Sequence, residues 1–377
     1  MLLVPVALAE EDAPVRLVPV AEVRPRAEVR ATLDGSDPAM GVNQRTRLGG
    51  VVSVGPNVAA EVVLQDVRVW GEEAHTLTDY SAGGVDVHAA AVRWTPSKAF
   101  GLTVGRQGLA FHEERLVGQV DWAPQGRHFD AARVSLAHDA LSADVAGAVL
   151  AEPDTGLWPD DAFAIVARGG WSPRPAVVAD ALYVYDADEA IGRVRHTGGL
   201  YAKGGGELFS GRVEGYFQGG TVGSGAIAAH MIGVSGTLTP KSKLQPKITL
   251  WFDRLSGDAD LADTDVTTFD TLFQTGHKFY GRMDLFYPTP ADATGRGLHD
   301  AALKLQAAPV ADGQVNLDVH VFLAAAGTDG HLGEEVDLWW TQTYGKHLRL
   351  VAGAAAFLPG DGSDPSTFGW LELGARY

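Results

Sequence analysis

The chain has 377 residues, a net charge of −17, 46 Gly and no Cys. The acidic balance argues against a nucleic-acid partner. No run approaches the roughly 18–20 continuous apolar residues of a membrane helix. A thiol-free chain suits the cell envelope, although cytosolic proteins also do without Cys.

Met1 to Ala9 is apolar and ends in Ala7-Leu8-Ala9, a small-x-small cleavage pattern without a basic start. It is expected to be the remnant of an export signal, with a buried first strand as the other reading. Residues 10–20 are then a short periplasmic lead, and a single barrel domain is expected over 21–377.

Alternation at period two recurs from there onward, and helical period is scarce. Val315, Leu317, Val319, Val321 and Leu323 share one face, with Asn316, Asp318 and His320 on the other. Ile248, Leu250 and Phe252 face away from Lys247, Thr249 and Asp253. Segments of about ten residues with one apolar and one charged face suit tilted membrane strands.

The connections alternate too. Short ones fall at 55–57, 95–98, 138–140, 172–174, 203–206, 239–242, 311–313 and 344–346. Longer, more polar ones fall near 32–41, 71–83, 107–126, 152–161, 187–194, 218–225, 257–296, 326–333 and 358–365. Short periplasmic turns and long external loops taking turns predict an all-β antiparallel transmembrane barrel of about 18 strands. Tyr280 to Tyr287 is strand-like, but an even strand number places it inside a long loop. The last strand, Trp370 to Tyr377, ends on an aromatic residue, as outer-membrane barrels usually do. Trp339-Trp340 and Tyr183 with Tyr185 suit interfacial girdles. A barrel this wide leaves an aqueous lumen.

Of the 30 basic residues, 22 are Arg and 8 are Lys. Five lysines, at 98, 203, 241, 243 and 346, sit in or beside predicted short turns. Arg45, Arg47, Arg68, Arg93, Arg106, Arg133, Arg212 and Arg282 interrupt apolar neighbours. They are expected to point inward, because a cation facing lipid at mid-membrane costs roughly 2–4 kcal/mol. Glu61, Asp66, Asp144, Glu214 and Asp284 are available as partners. These arginines either stiffen the wall as ion pairs or line a track for an anionic solute. Arg suits both uses, because its planar fork binds carboxylates bidentately and stays charged. Residues 105–130 carry Arg106, His112, Glu113, Glu114, Arg115, Asp121, Trp122, Arg127, His128 and Asp130. A loop of that length either constricts the lumen or stays outside, held by Arg–carboxylate pairs.

Gly105-Arg106-Gln107, Arg115-Leu116-Val117-Gly118, Asp121-Trp122 and Gly126-Arg127-His128-Phe129-Asp130 resemble a block of the alginate export family of outer-membrane proteins. Leu255-Ser256-Gly257-Asp258, Thr268 to Phe273, Gly276 to Gly281 and Asp284-Leu285-Phe286 resemble a second, and Gly333 to Leu338 a third. The resemblance runs from about residue 25 over most of the chain. It implies an 18-stranded barrel with a selective lumen, which in founding members is basic and passes an anionic uronate polysaccharide outward. It also implies that Arg106, Gln107, Arg115, Trp122, Arg127 and Asp130 are lumen or loop determinants. This chain is shorter and more acidic than that pattern.

No cofactor is implied. The acidic stretch over 253–265 has oxygens that suit Ca, but its spacing is not an EF-hand. Twelve scattered His residues show no H-E-x-x-H, and no G-x-S-x-G elbow or Walker loop is present. The expected function is a solute-selective, non-enzymatic channel of the bacterial outer membrane, passing an anionic saccharide such as alginate or another uronate. The alternatives are a general or cation-selective porin, a barrel enzyme and a soluble sugar-binding sandwich. Expected partners are outer-membrane lipid, lipopolysaccharide and the saccharide, with the chain a monomer.

Overall fold

The computed structural model describes residues 15–72, 84–151, 162–287, 289, 295–327 and 330–377. Among these, eighteen strands follow one another: β1 (Val15–Thr32), β2 (Ala39–Val54), β3 (Val58–Val69), β4 (Val85–Ser97), β5 (Phe100–Gln107), β6 (Phe129–His138), β7 (Leu141–Ala151), β8 (Ala162–Arg174), β9 (Val177–Asp188), β10 (Arg193–Gly205), β11 (Phe209–Val222), β12 (Gly225–Leu238), β13 (Lys247–Leu255), β14 (Leu298–Val310), β15 (Gly313–Leu323), β16 (His331–Tyr344), β17 (Leu348–Pro359) and β18 (Ser366–Arg376). Each pairs antiparallel with its sequence neighbours, and β1 pairs with β18, with Glu22 opposite Arg376 and Thr32 opposite Ser366. The sheet therefore closes without an edge.

Residues 1–9, the expected signal remnant, lie outside the described residues. The barrel begins earlier than the expected boundary at 21, because Val15 to Val20 already pair with Val54 to Gly49 of β2. Three connections differ clearly in length from the sequence reading. The loop expected over 187–194 is only 189–192. The loop expected over 218–225 is only Gly223-Ser224, and the turn expected at 239–242 runs from 239 to 246. The long β10–β11–β12 hairpins continue their ladders to Val222 and Gly225, because Gly219 and Gly220 are tolerated inside the ladder. Two-residue turns at 139–140 and 311–312 place Asp139 and Asp312 at positive φ, a conformation that short polar side chains accept. Tyr280 to Tyr287 lies within the β13–β14 connection and forms no strand.

The alternation sorts outside from inside. Leu200 (67 % exposed), Val213, Leu250 and Phe217 face outward, while Tyr201, Glu214, Tyr216 and Asp253 are buried inside. Trp94, Trp171, Tyr344 and Tyr377 are exposed near strand ends, where amphipathic rings suit the membrane interface. Trp339 does not join them. It lies on the inward face between Glu335 and Asp337 on one side and Thr341 on the other, with the Arg282 guanidinium 3.6 Å above its ring.

Eighteen strands enclose more space than wall side chains fill. Here two connections occupy part of it: residues 108–128 between β5 and β6, and the described residues 256–287, 289 and 295–297 between β13 and β14. Their Leu109, Phe111, Leu116, Val117, Phe269, Phe279, Met283 and Phe286 form one buried apolar cluster with Val184, Met231, Leu255, Phe322, Phe357 and Trp370 of the wall.

Leu200→Arg, at mid-strand on the outward face, should destabilise the folded barrel by about 2–4 kcal/mol in denaturant titrations in bilayers. Equal stability would mean that this face does not meet hydrocarbon.

Candidate functional site: two segments folded into the barrel

The first inserted segment leaves β5 and crosses to β9, β10, β11 and β13 before turning back. His112, Glu113 and Glu114 all adopt positive φ (48°, 58° and 70°), a strained run for side chains of this size. Wall contacts hold it in place. His112 Nδ1 lies 2.9 Å from the Tyr216 hydroxyl and its Nε2 lies 3.3 Å from Asp180. Glu113 accepts hydrogen bonds from the Tyr201 hydroxyl (3.0 Å) and Lys203 (2.7 Å).

Arg115 follows and is completely buried. Its Nε donates to Glu214 at 2.9 Å, and its Nη1 reaches Asp253 at 2.8 Å and the Tyr280 hydroxyl at 2.9 Å. The Phe279 ring lies 3.8 Å from its guanidinium carbon. Arg212 adds a second cation beside Glu214 and Asp253. A planar five-donor fork can satisfy carboxylates from two strands and a phenol at once. Lys would need all three partners gathered around one nitrogen.

The segment then reaches the opposite wall. On β17, β18, β1 and β2 every charged residue lies on the inward face: Arg16, Arg24, Arg26, Arg30, Arg45, Arg47, Arg349 and Arg376, with Glu22, Glu28 and Glu372. Arg24 stands opposite Arg45, and Glu22 opposite Arg47 and Arg376. These arginines grip the loop backbone. Arg24 donates to the Asp121 carbonyl (2.7 Å), Arg26 to that of Trp122 (2.6 Å), and Arg47 to that of Gln125 (3.3 Å). The Asp121 carboxylate takes Arg45 at 2.8 Å, Arg47 at 3.3 Å and Arg376 at 3.2 Å. Burial raises the Asp121 pKa, but Arg45, Arg376, Arg24 and Arg47 together outweigh it and hold the carboxyl well below its ordinary value.

The second inserted segment packs on the first. Phe273 N donates to Leu116 O at 2.9 Å, and Gly118 N donates to Phe273 O at 2.9 Å. A Cβ at Gly118 would lie 2.6 Å from the Glu114 Cβ, so this approach requires glycine. Arg127 donates to Gln274 O at 3.1 Å. Trp122 stacks on His277 at 3.6 Å with Arg26 4.0 Å from its ring. Asp270 takes Arg195 at 2.5 Å, and Phe286 packs 4.6 Å from Phe322. The two segments thus form one body bonded to opposite walls.

The residues singled out from sequence divide into four groups. Arg45, Arg47, Arg93, Arg133 and Arg212 lie on the inward face. Arg133 pairs with Asp144 (2.6 Å), and an ion-pair ladder continues through Arg168 to Asp180. Arg115, Trp122 and Arg127 belong to the inserted body, where Arg115 is sealed from any passage. Gln107 is buried and donates to the Ala131 carbonyl at 2.9 Å, a strand-end brace. Arg106, Asp130 and Arg68 correct the expectation of inward charge. Arg106 is opposite Ala90, in register with exposed Val62, and Asp130 is opposite exposed Val149. The two pair on the outward face at 3.0 Å. Arg68 pairs with Asp66 at 2.8 Å, and Asp66 stands opposite Thr46, which is in register with exposed Val23. Both pairs sit at the extracellular ends of strands, where an outward charge costs little.

Asp253 of the acidic stretch belongs to the Arg115 cluster. Asp258, Asp260 and Asp263 accept hydrogen bonds from backbone amides two residues on, and Asp265 accepts one from Ala226 N. Sequence reasoning passed over Glu22, Arg24, Arg26 and Arg376, although their strict alternation in β1 and β18 was visible.

The sequence profile of the alginate export family matches residues 21–330. The chain belongs to the alginate export family. Its fold is that of outer-membrane porins. OccAB4 of Acinetobacter baumannii aligns at TM-score 0.67 and 10 % identity, over 97 % of this chain and 98 % of that one. OccK11 (OpdR) of Pseudomonas aeruginosa aligns at 0.64 and 14 %, over 96 % and 95 %. OpdK of P. aeruginosa, in its structure with vanillate, aligns at 0.62 and 12 %, over 95 % and 98 %. No curated protein matches the chain in sequence. This member of the alginate export family is an outer-membrane β-barrel channel.

Arg115→Ala leaves the buried Glu214 and Asp253 with Arg212 as their one remaining cation and should cost about 3–5 kcal/mol. Single-channel conductance should rise as the inserted body loosens. Unchanged conductance and stability would remove Arg115 as an anchor. The Asp121 pairing is fully present above the unfolded carboxyl pKa of about 3.9 and is lost as pH falls toward the lower folded value. Conductance should therefore hold from neutrality down to about pH 4 and change only in stronger acid. Asp121→Asn should show the changed conductance already at neutral pH.

Proposed function

We propose that this channel passes small or oligomeric anionic saccharides of the uronate class by passive diffusion. The observation that carries this reading is the charge of the β17–β18–β1–β2 wall. It holds eight arginines against three glutamates, and Asp121 of the inserted segment adds only one more carboxylate. An excess of fixed cations in a low-dielectric cleft raises the local concentration of anions. The guanidinium fork is also suited to the carboxylate of a uronate. Arg349 and Arg376 have side chains 53 % and 42 % exposed, so they still present a face to a solute, although Arg376 also holds Glu22 and Asp121 and Arg349 reaches Glu372.

OpdK, which shares the fold, was solved with vanillate, likewise a carboxylate. The inserted body narrows the lumen, which favours short chains over a long polymer. The channel works as a monomer among lipid and lipopolysaccharide and performs no chemistry on its solute.

Reversal potentials under a salt gradient should show anion preference, with current block by oligouronate. Arg349→Gln with Arg376→Gln should weaken the block. At about 0.2–1 kcal/mol per exposed charge, the loss is up to about fivefold per residue. Cation preference without block would instead make this a general or cation-selective porin.

A further inference from the structure

The inward face of β15 and β16 holds a cluster that plays no part in gripping the inserted segments' backbone through Asp121 or Arg115. Asp318 stands opposite Asp337, and His320 opposite Glu335. His320 and Asp337 are completely buried, and Asp318 nearly so. One ligand atom each from Asp318, His320 and Asp337 lies within 4.8 Å of the others. Donors at roughly 2.0–2.2 Å from one ion lie at most about 4.4 Å apart, so a small inward shift of these side chains brings all three to one ion.

Two further observations point to a ligand. His320 Nδ1 lies 2.7 Å from Asp300 Oδ1, while its Nε2 has no hydrogen-bond partner among the described residues. Both carboxylate oxygens of Asp337 also lack a donor, and the Glu335 carboxylate lies within hydrogen-bonding reach of them, so the two carboxylates need either a shared proton or a cation between them. Leaving a buried imidazole nitrogen and a whole carboxylate unsatisfied is costly. A carboxylate that fixes one imidazole nitrogen so that the other faces outward is the recurring outer shell of metal-bound His. The charges agree. Asp300, Asp318, Glu335 and Asp337 face Lys304, 3.2 Å from Asp318, and Arg282 of the second inserted segment. Four carboxylates against two cations leave a buried surplus that one divalent ion neutralises.

We propose that Asp318, His320 and Asp337 bind one divalent first-row transition ion of the zinc class, with His320 Nε2 as its nitrogen ligand. One nitrogen with carboxylate oxygens suits this class better than Ca or Mg, which take oxygen alone. The ion ties β15 to β16 beneath the second inserted segment, whose Met283 N donates to Glu335 at 2.8 Å. Burial implies that the ion enters as the barrel forms and exchanges slowly afterwards.

The full chain should be refolded in detergent with Zn2+ or with EDTA, dialysed, and assayed for bound metal and thermal midpoint. The Zn2+ sample should retain about one ion per chain and melt at a higher temperature. His320→Ala and Asp337→Asn should abolish retention, and Asp300→Asn should lower affinity about 10–100-fold. If those variants do not refold, wild-type protein refolded with Co2+ should give ligand-field absorption bands that are lost when excess Zn2+ is present during refolding. No retained Zn2+, or no such bands, would overturn the proposal. So would a rise in stability of metal-free Asp337→Asn with no response to metal, which would mean that Glu335 and Asp337 merely share a proton.

Discussion

The interaction on which this structure depends is the grip of strand arginines on the backbone of a loop. An 18-stranded barrel closes a lumen that wall side chains do not fill, and the segments entering it are largely shut off from water, with Leu109, Arg115, Leu116, Val117 and Phe269 fully buried. Backbone carbonyls there need donors, and the loop must hold one position against its own conformational entropy. Arg24, Arg26 and Arg47 supply the donors on one wall, and Arg115 reverses the arrangement on the other by carrying a loop cation into wall carboxylates. The two anchorages use different physics. The Asp121 side is partly open and cumulative. The Arg115 side is fully desolvated, and removing one partner leaves buried charge short of a counter-charge.

This division explains how a chain of net charge −17 presents one basic wall on the inside, over β17, β18, β1 and β2. Charge that would be prohibitive on the lipid face is tolerated on the inner face, where water and counter-ions reach it. The arginines therefore gather where they have work. On β17, β18, β1 and β2 none lies on the outward face. Outward ion pairs such as Arg106–Asp130 and Arg68–Asp66 stand at extracellular strand ends.

Much of this was legible in the chain. Period-two alternation and the rhythm of the connections carry the strand count, because every strand repeats the same inside–outside choice. The faces of β13 and β15 follow directly from Ile248-Leu250-Phe252 and Val315 to Leu323. The outward position of Arg106 did not follow. Val104 shares its face and is exposed, but the cost that turns a cation inward at mid-membrane is small at a strand end, where Arg106 sits. The role of Arg115 was equally hidden. Glu214, Asp253 and Tyr280 lie far along the chain, and only closure of the barrel brings them together. The Asp318–His320–Asp337 cluster escaped for the same reason: its third member is on the next strand, at a spacing no local metal motif contains.

The most direct test of the central claim is the distance between the loop and the arginine wall. The chain has no Cys, so a pair of spin labels at Gln125→Cys and Val29→Cys reports on these two sites alone. A single narrow distance distribution in bilayers, broadened by Arg24→Gln with Arg45→Gln, is the predicted result. A broad distribution in the otherwise unmodified protein would contradict the account, because the loop would then move freely in the lumen despite the arginines facing it.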